Sequence, residues 1–178
     1  MRKTILLLFL FVIFICNFQS SKGTNVAFVN IGTFSGSNYK KTFFVPRSFV
    51  AVWQDAFTIC KSFGYELAAF DTEAEYKNAQ LFIGVALFDK LIAITDWAHV
   101  GGMGIFNETI SQNIWYWVHN NKKISYPIDW AQGFPNVFDF NGNCMAVSKS
   151  LLRFRNIGCF QLNNQSAQSF ICQKVEKK

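Results

Sequence analysis

Histidines and acidic residues are scarce in this 178-residue chain, which has two of the former and 11 of the latter. Neither His99 nor His119 lies beside a cysteine, and no two cysteines stand at the close spacing of a zinc site. No Ser/His/Asp or Cys/His grouping is visible, and no close acidic pair lies between Trp130 and Cys144. The chain is therefore expected to be neither a zinc protein nor an enzyme, and no catalytic residue or metal ligand is assigned.

Dense clusters of positive charge are also missing. The formal charge is +6, from 17 lysines and arginines against 11 acids. Three of the cations lie close to the N terminus, and only a short basic tail, Lys177-Lys178, closes the chain. Nucleic acid is therefore not expected among the partners, because its binding needs a concentrated Lys/Arg surface.

The N terminus carries a targeting pattern. A basic start is followed by an unbroken apolar run from Ile5 to Cys16 and by small residues up to Gly23. This is the three-part pattern of a secretory signal peptide. The run is shorter than the ~20 residues that cross a bilayer as a helix, so no membrane span is expected. We therefore predict a signal peptide over residues 1–23 of a secreted, extracellular protein, which leaves about 155 residues, enough for one domain with its own core.

Cysteines are few but even in number beyond the predicted signal peptide. An even count in a secreted chain predicts two disulfide bonds, and the count alone leaves three connectivities open. The four residues are Cys60, Cys144, Cys159 and Cys172.

Two helices are predicted in the first half of the chain. Apolar residues at helical spacing from Val50 to Cys60 predict a helix over residues 48–64, with Gly64 at its end. Thr72 and Glu75 form a capping-box pattern, which predicts the start of a second helix.

Short strands are predicted on either side of these helices and become dense after about Ala86. Asn120-Asn121 offers a hairpin turn between two of them. Two helices followed by a loop-rich antiparallel half predict an α+β domain. The predicted strands are VAFVNIG, KTFFVPR, IWYWV, KISY, NCMAVS, LRFRNIG and SFICQK.

The order and spacing of these features resemble the C-type lectin-like domain, in particular the small secreted single-domain forms of insects. The resemblance implies two helices, two small antiparallel sheets, a long loop region and two disulfides, Cys60–Cys172 and Cys144–Cys159. It also implies an N-terminal extension over 24–42 and a lectin-like domain over 43–178. The matching stretches are Trp53-x-x-Ala56-x-x-x-Cys60, Gly64-x-x-Leu67-Ala68, His99-Val100-Gly101-Gly102, Trp115-Tyr116-Trp117, Trp130-x-x-Gly133-Phe134-Pro135-Asn136 and Phe170-Ile171-Cys172.

The ligand positions of calcium-dependent members are altered in this chain. Those members use Glu/Gln-Pro-Asn/Asp in the loop, an acid two residues before the cysteine matched by Cys144, and Trp-Asn-Asp. Here Phe134-Pro135-Asn136, Gly142 and Phe154-Arg155-Asn156 occupy these places. Calcium prefers six to eight oxygen ligands, several of them anionic, and the charge of Arg155 would repel it. Calcium is therefore not expected at the usual lectin site, and no cofactor is assigned.

A second interpretation of the loop stays open beside ligand binding. Its Asn and Asp residues are also typical of a polar turn. Phe134, Phe138 and Phe140 could form an exposed platform, or Phe138 and Phe140 could form one buried face of a strand. For Arg153 and Arg155, a solvated surface is favoured over a ligand contact. The candidate ligand-binding residues are Phe134, Pro135, Asn136, Asp139, Asn141, Asn143, Arg155 and Asn156.

Two acceptor patterns for N-glycosylation are present, Asn107-Glu-Thr109 and Asn164-Gln-Ser166. In a secreted chain both predict glycosylated surface positions, and Asn107 is favoured.

Two functions are compatible with these observations. The first is a secreted lectin-type recognition protein that binds a glycan or glycoprotein without calcium. The alternative is a module that keeps the lectin fold, binds a protein surface instead of sugar, and acts in immunity or in reproductive fluid. Fold alone does not choose between them, because binding depends on the site.

Overall fold

The structure is a computed structural model that describes residues 26–87, 95–136, 143–148, 153–160 and 167–178, without the side chains of 82–87. Two helices and ten strands lie in these ranges. The helices are α1 (Trp53–Ser62) and α2 (Glu73–Leu87). The strands are β1 (Phe28–Ser35), β2 (Tyr39–Pro46), β3 (Glu66–Leu67), β4 (Trp97–Asn107), β5 (Gln112–Trp117), β6 (Lys122–Lys123), β7 (Cys144–Ser148), β8 (Phe154–Ile157), β9 (Ser169–Phe170) and β10 (Cys172–Lys177).

The strands form two sheets. One has four strands in the order β1-β2-β10-β3, and the other has the order β6-β5-β4-β7-β8, with β9 added in parallel to β4. All other strand pairs are antiparallel. The predicted α+β class and its two-sheet architecture are confirmed. β2 crosses the predicted boundary at residue 43, and the division into 24–42 and 43–178 stays a prediction.

Helix α1 is shorter than its sequence pattern suggests. It begins at Trp53, not near residue 48, and Val50 lies before it with 44% of its surface exposed. Trp53, Ala56 and Cys60 form the buried face. The helix ends as predicted, because Gly64 adopts φ +72°, a left-handed conformation that costs glycine little.

Helix α2 begins with a variant of the predicted capping box. The Thr72 hydroxyl accepts a hydrogen bond from Glu75 N at 3.1 Å. The Glu75 carboxylate reaches one residue further back than the pattern predicts and accepts from Asp71 N at 3.0 Å. The first bond satisfies a backbone donor that the first helical turn leaves without a partner, and the second holds the residue before the N-cap.

The long central strand β4 was not predicted as a strand, since Gly101, Gly102 and Gly104 lower its strand propensity. The glycines are required by packing. A Cβ on Gly102 would lie 2.1 Å from Met145 Sδ, and one on Gly104 would lie 3.0 Å from the Trp115 ring. β4 is therefore the surface against which its neighbours' large side chains pack.

His99, also in β4, is a fully buried core residue. Its Nε2 lies 2.9 Å from the carbonyl oxygen of Ala51, which precedes α1. The nearby Trp53 indole donates to Val100 O at 2.7 Å. These contacts fix α1 against the larger sheet.

Two disulfides close the domain at different places. Cys60–Cys172 joins α1 to β10, and Cys144–Cys159 joins β7 to the segment after β8. This is the pairing that the resemblance implies. The first bond encloses most of the domain and the second a short segment around β8.

Lys41 of β2 is fully buried and holds a cluster of polar groups. Its ammonium donates to Asp71 Oδ2 at 3.0 Å and Ala69 O at 2.9 Å, and it pairs with the buried Glu75. Burial, followed by the charge of Glu75, raises the pKa of Tyr39 beside it to about 12. This cluster connects the four-stranded sheet to the start of α2.

Candidate functional site

The predicted binding loop is attached to the first residue of β8. Phe154 N donates to Asp129 O and Ala131 N donates to Phe154 O, both at 2.8 Å, which makes a parallel bridge between Trp130 and Phe154. A turn follows, with Gly133 at φ +81° and a cis peptide bond between Phe134 and Pro135. The backbone thus places Pro135 and Asn136 beside β8.

Asn156 is the side chain that fixes the end of this loop. It is buried, with 3% of its surface exposed. Its Oδ1 accepts a hydrogen bond from Asn136 N at 2.6 Å, and its Nδ2 donates to Asn136 O at 3.0 Å. An amide side chain can both donate and accept a hydrogen bond, whereas an ionised carboxylate could only accept one. Asn156 therefore connects loop and strand through neutral hydrogen bonds.

Arg155 lies beneath the loop and does not form the solvated surface that its sequence pattern favoured. Its guanidinium carbon is 4.2 Å from the centroid of the Trp97 ring, a cation–π contact. Trp97 also packs against Phe134, with 6.3 Å between ring centroids. Burial lowers the pKa of Arg155 from its ordinary value, and the charge of Asp96 acts in the opposite direction.

Arg153, two residues earlier, matches the expected solvated surface. It is about half exposed and lies 3.5 Å from Asp129. The two arginines that flank Phe154 thus have different environments, because Arg153 precedes β8 and lies near Asp129, whereas Arg155 lies within β8 and packs on Trp97.

A cavity of about 430 Å³ opens between the loop and the hairpin of β4 and β5. Trp115 and Trp130 pack together in its wall, with 5.0 Å between ring centroids. Both indoles thus contribute to the core and face the cavity. The lining residues are Gln112, Asn113, Trp115, Trp130, Pro135 and Asn136.

Asn143 supports the cavity from outside its lining. Its carbonyl oxygen accepts from Gly104 N at 2.7 Å, and its Oδ1 lies 3.4 Å from Asn113 Nδ2. Asn143 therefore orients the side-chain amide of Asn113, a lining residue, through this long hydrogen bond.

Six of the eight candidate residues lie in the described part of the chain, and the structure brings them into two adjoining groups. Pro135, Asn136, Asn143 and Asn156 surround or support the cavity, and Phe134 and Arg155 both contact Trp97. The other two, Asp139 and Asn141, lie outside the described residues, as do Phe138, Phe140 and Gly142.

Five residues of the site are not among the candidates from the sequence, although the last two lie in stretches that carry the resemblance: Trp97, Gln112, Asn113, Trp115 and Trp130. Asn113 precedes Trp115 by two residues, so the alternation of a strand could have placed it on the same face. No such signal exists for Trp97, whose contacts with Phe134 and Arg155 join three distant parts of the sequence.

The described donors of this site do not match the ligand set that calcium prefers. Its side-chain oxygens in the described residues come from neutral amides, and Asn156 Oδ1 is already an acceptor for Asn136 N. Calcium prefers six to eight oxygens with several carboxylates. Throughout the described ranges, no group of three or more His, Cys, Asp or Glu residues is arranged to hold a metal.

Comparison with known proteins gives structural similarity without sequence similarity. No protein-family model matches the chain, and no curated protein matches it. Among solved structures, human lithostathine aligns with a TM-score of 0.54 at 20% identity, over 80% of this chain and 87% of lithostathine. The carbohydrate-recognition domain of the human scavenger receptor C-type lectin aligns at 0.56 and 15% identity, over 81% of this chain and 96% of that domain.

The chain has the C-type lectin-like fold. A calcium-independent type II antifreeze protein shares it, with a TM-score of 0.53 and 18% identity over 85% of this chain and 98% of that protein. The fold implied by the resemblance is thus confirmed. Residues 130–136, here called the cis-proline loop, are attached to β8 within this fold. No described helix is both long and apolar enough to cross a membrane.

Proposed function

We propose that this protein is a secreted recognition domain that binds a glycan, without calcium, in the cavity between the cis-proline loop and the hairpin of β4 and β5. The observation that carries the proposal is the composition of that cavity. Two tryptophans and three residues with amide side chains line a volume of about 430 Å³. This lies within the range of ~300–1,000 Å³ that is usual for small-ligand sites.

The lining suits the chemistry of a sugar. The apolar C–H face of a pyranose ring packs on an aromatic side chain such as Trp115 or Trp130. Its hydroxyls both donate and accept hydrogen bonds, and the amides of Gln112, Asn113 and Asn136 offer both functions. Because none of these side chains carries a charge, the cavity favours a neutral saccharide over an ionic ligand.

Calcium independence is supported by the contacts of β8. In a calcium-dependent lectin the metal would link the loop to this strand; here Asn156 makes that link through two hydrogen bonds to Asn136. Arg155 places a positive charge next to the same position. Among the similar structures, one is a carbohydrate-recognition domain and another is calcium-independent, which is compatible with both parts of the proposal.

We propose binding without catalysis. Bond cleavage in a glycan requires a pair of acidic groups at the scissile bond, or another group that transfers protons near neutral pH. The amides and indoles of the cavity lining are not acidic and do not transfer protons near neutral pH. The protein is therefore expected to hold its ligand unchanged.

The direct test is a glycan array probed with the disulfide-bonded protein, once with calcium and once with a chelator. We expect the same glycans to be bound in both conditions. Binding that the chelator abolishes would contradict the calcium-independent site. Silence in both conditions would contradict glycan binding and favour the alternative of a protein-interaction module.

Two variants locate the binding to the cavity. Gln112→Ala and Asn113→Ala each remove an amide from the lining, and we expect affinity for a bound glycan to fall about tenfold, the value of one hydrogen bond of roughly 1.4 kcal/mol. Asn78→Ala is the matched control, since Asn78 lies on the exposed face of α2. If Gln112→Ala and Asn113→Ala bind the glycan as tightly as Asn78→Ala does, the glycan binds outside this cavity.

A further inference from the structure

The tip of the hairpin formed by β4 and β5 exposes an unusual amount of apolar surface. Ile105, Phe106 and Ile110 are 49%, 60% and 55% exposed. They are three of the eight large exposed apolar side chains in the described part of the chain, and they lie within six residues of one another. A concentrated apolar surface of this kind usually has a covering partner.

An N-glycosylation acceptor lies in the middle of this apolar tip. Asn107-Glu108-Thr109 separates Phe106 from Ile110, and Glu108 and Thr109 are exposed. Asn107 Oδ1 accepts hydrogen bonds from Thr109 N at 3.0 Å and Ile110 N at 3.3 Å. The turn therefore uses the side-chain oxygen, while Nδ2 is the atom to which a glycan is linked.

The strand register shows which apolar side chains a glycan on Asn107 would meet. Asn107 pairs with Gln112, and Ile105 pairs with Ile114. Residues two apart on a strand share a face, so Asn107, Ile105 and Ile114 lie on one side of the hairpin. Phe106 pairs with Asn113 and lies on the other side, with Asn113 and Trp115 of the cavity lining, whereas the lining residue Gln112 is paired with Asn107 at the end of the strand.

We propose that Asn107 carries an N-linked glycan whose first sugars cover Ile105 and Ile110 at the hairpin tip. In the transfer, Asn107 Nδ2 forms a bond to the anomeric carbon of an oligosaccharide held on a lipid diphosphate. The anomeric C–O bond breaks, the lipid diphosphate leaves, and Nδ2 loses one proton. The glycan supplies a hydrophilic outer surface over side chains that would otherwise face water. Phe106 stays uncovered, on the cavity side.

The first test is occupancy. The full chain is expressed in a eukaryotic secretory host, and peptides are analysed by mass spectrometry before and after a peptide N-glycosidase, which leaves Asp at each glycosylated Asn. We expect conversion at position 107 in wild type and in Thr109→Ser, and no glycan at that position in Asn107→Gln or Thr109→Ala. An unmodified Asn107 in the wild-type protein overturns the proposal, whether or not Asn164 is occupied.

The second test concerns the covering of the apolar tip. We expect Thr109→Ala, which keeps the backbone bonds to Asn107 Oδ1, to bind more of an apolar fluorescent dye than glycosylated wild type. Adding Ile105→Thr and Ile110→Thr to Thr109→Ala should remove the increase. Equal dye binding by wild type and Thr109→Ala, or an increase that persists without the two isoleucines, would overturn the covering role. Glycan-array binding is a separate readout, so this proposal can fail while the proposed function holds.

Discussion

Lys41 of β2 and Asn156 of β8 are both buried polar side chains that join distant segments, but they do so with different chemistry. Lys41 pairs with Asp71 and Glu75, so its cluster depends on charge. Asn156 exchanges two hydrogen bonds with the backbone of Asn136, and both of these bonds join neutral groups. The charged cluster lies under the start of α2, whereas the neutral one lies beside the cavity.

The charged contacts of Lys41 suit a part of the molecule that holds the fold, whereas the neutral contacts of Asn156 suit a part that can receive a ligand. A buried charge is tolerated only while its partners stay in place, which suits a part of the molecule that does not change. Neutral amides cost less to bury and can exchange one partner for another. In a calcium-dependent lectin the charge would be concentrated at the loop; in this chain the described residues concentrate it at Lys41 and leave the cavity lining neutral.

Removing the disulfides one at a time should give the largest losses in the free energy of unfolding, and the two losses should differ. Cys60 and Cys172 are 112 residues apart and Cys144 and Cys159 are 15 apart. In the chain-entropy model, replacing the first pair by alanine costs about 5 kcal/mol and replacing the second about 3 kcal/mol. Urea unfolding of both double variants measures the difference. Equal losses would mean that native-state contacts, and not loop length, set the contribution of each bond.

Lys41→Met should be nearly as damaging as loss of the long disulfide. It leaves Glu75 buried without its cation, a change that typically costs about 3–5 kcal/mol. Adding Glu75→Leu should restore much of the lost stability, because the uncompensated charge is then removed as well. Chemical denaturation of the single and double variants tests this; a double variant less stable than the single one would show that the cluster is favourable beyond charge compensation.

The control for Lys41 is a surface pair on the neighbouring strand. Lys174 and Glu176 are both about half exposed and lie 2.8 Å apart. Lys174→Met should have no measurable effect on unfolding, because solvent screens an exposed pair.

Asn156→Leu should act on the neutral cluster alone. It removes both hydrogen bonds to Asn136, so the free energy of unfolding should fall by about 1–3 kcal/mol. Glycan binding should also be lost. Hydrogen exchange should accelerate at Phe134 and Asn136 and stay unchanged at Phe43 and Val45 of β2. Faster exchange in β2 as well would show that the two regions unfold as one unit.

Apart from the surface control, Arg155→Met should have the smallest effect. The variant keeps an apolar stem on Trp97 and loses the cation–π contact, which is worth about 0.5–2 kcal/mol when partly buried. Stability should fall by roughly 1 kcal/mol by the same estimate. Calcium titration of the variant, followed by tryptophan fluorescence, should stay flat, because neutral amides remain the donors. A saturable calcium response would show that the arginine alone had excluded the ion.

Local features of the sequence were sufficient for the elements that depend on neighbouring residues. The spacing around Cys60 predicted a helix, Thr72 and Glu75 predicted the start of the next one, and Asn120-Asn121 predicted a turn in which Asn121 has φ +54°. The turn connects β5 and β6 through residues 118–121. These predictions succeed because capping, periodicity and turn conformation act over a few residues.

Long-range packing decided the rest. β4 is a strand although it is rich in glycine, because Met145 and Trp115 occupy the space that side chains would need. Arg155 is half-buried only because Trp97, 58 positions earlier, offers it an aromatic face. Neither contact leaves a local pattern, since each depends on which strands become neighbours.

The amino-acid sequence by itself determined the C-terminal end of α1, the start of α2, the turn residues, an even set of cysteines and a loop with few acids. Tertiary structure decided that Asn156 would accept one hydrogen bond from the Asn136 backbone and donate another to it, that Lys41 would be buried between carboxylates, and that indoles and amides would line one cavity. The physical reason is that a side chain's propensity acts locally. Its burial and its partners are set by segments that meet only when the sheets have formed.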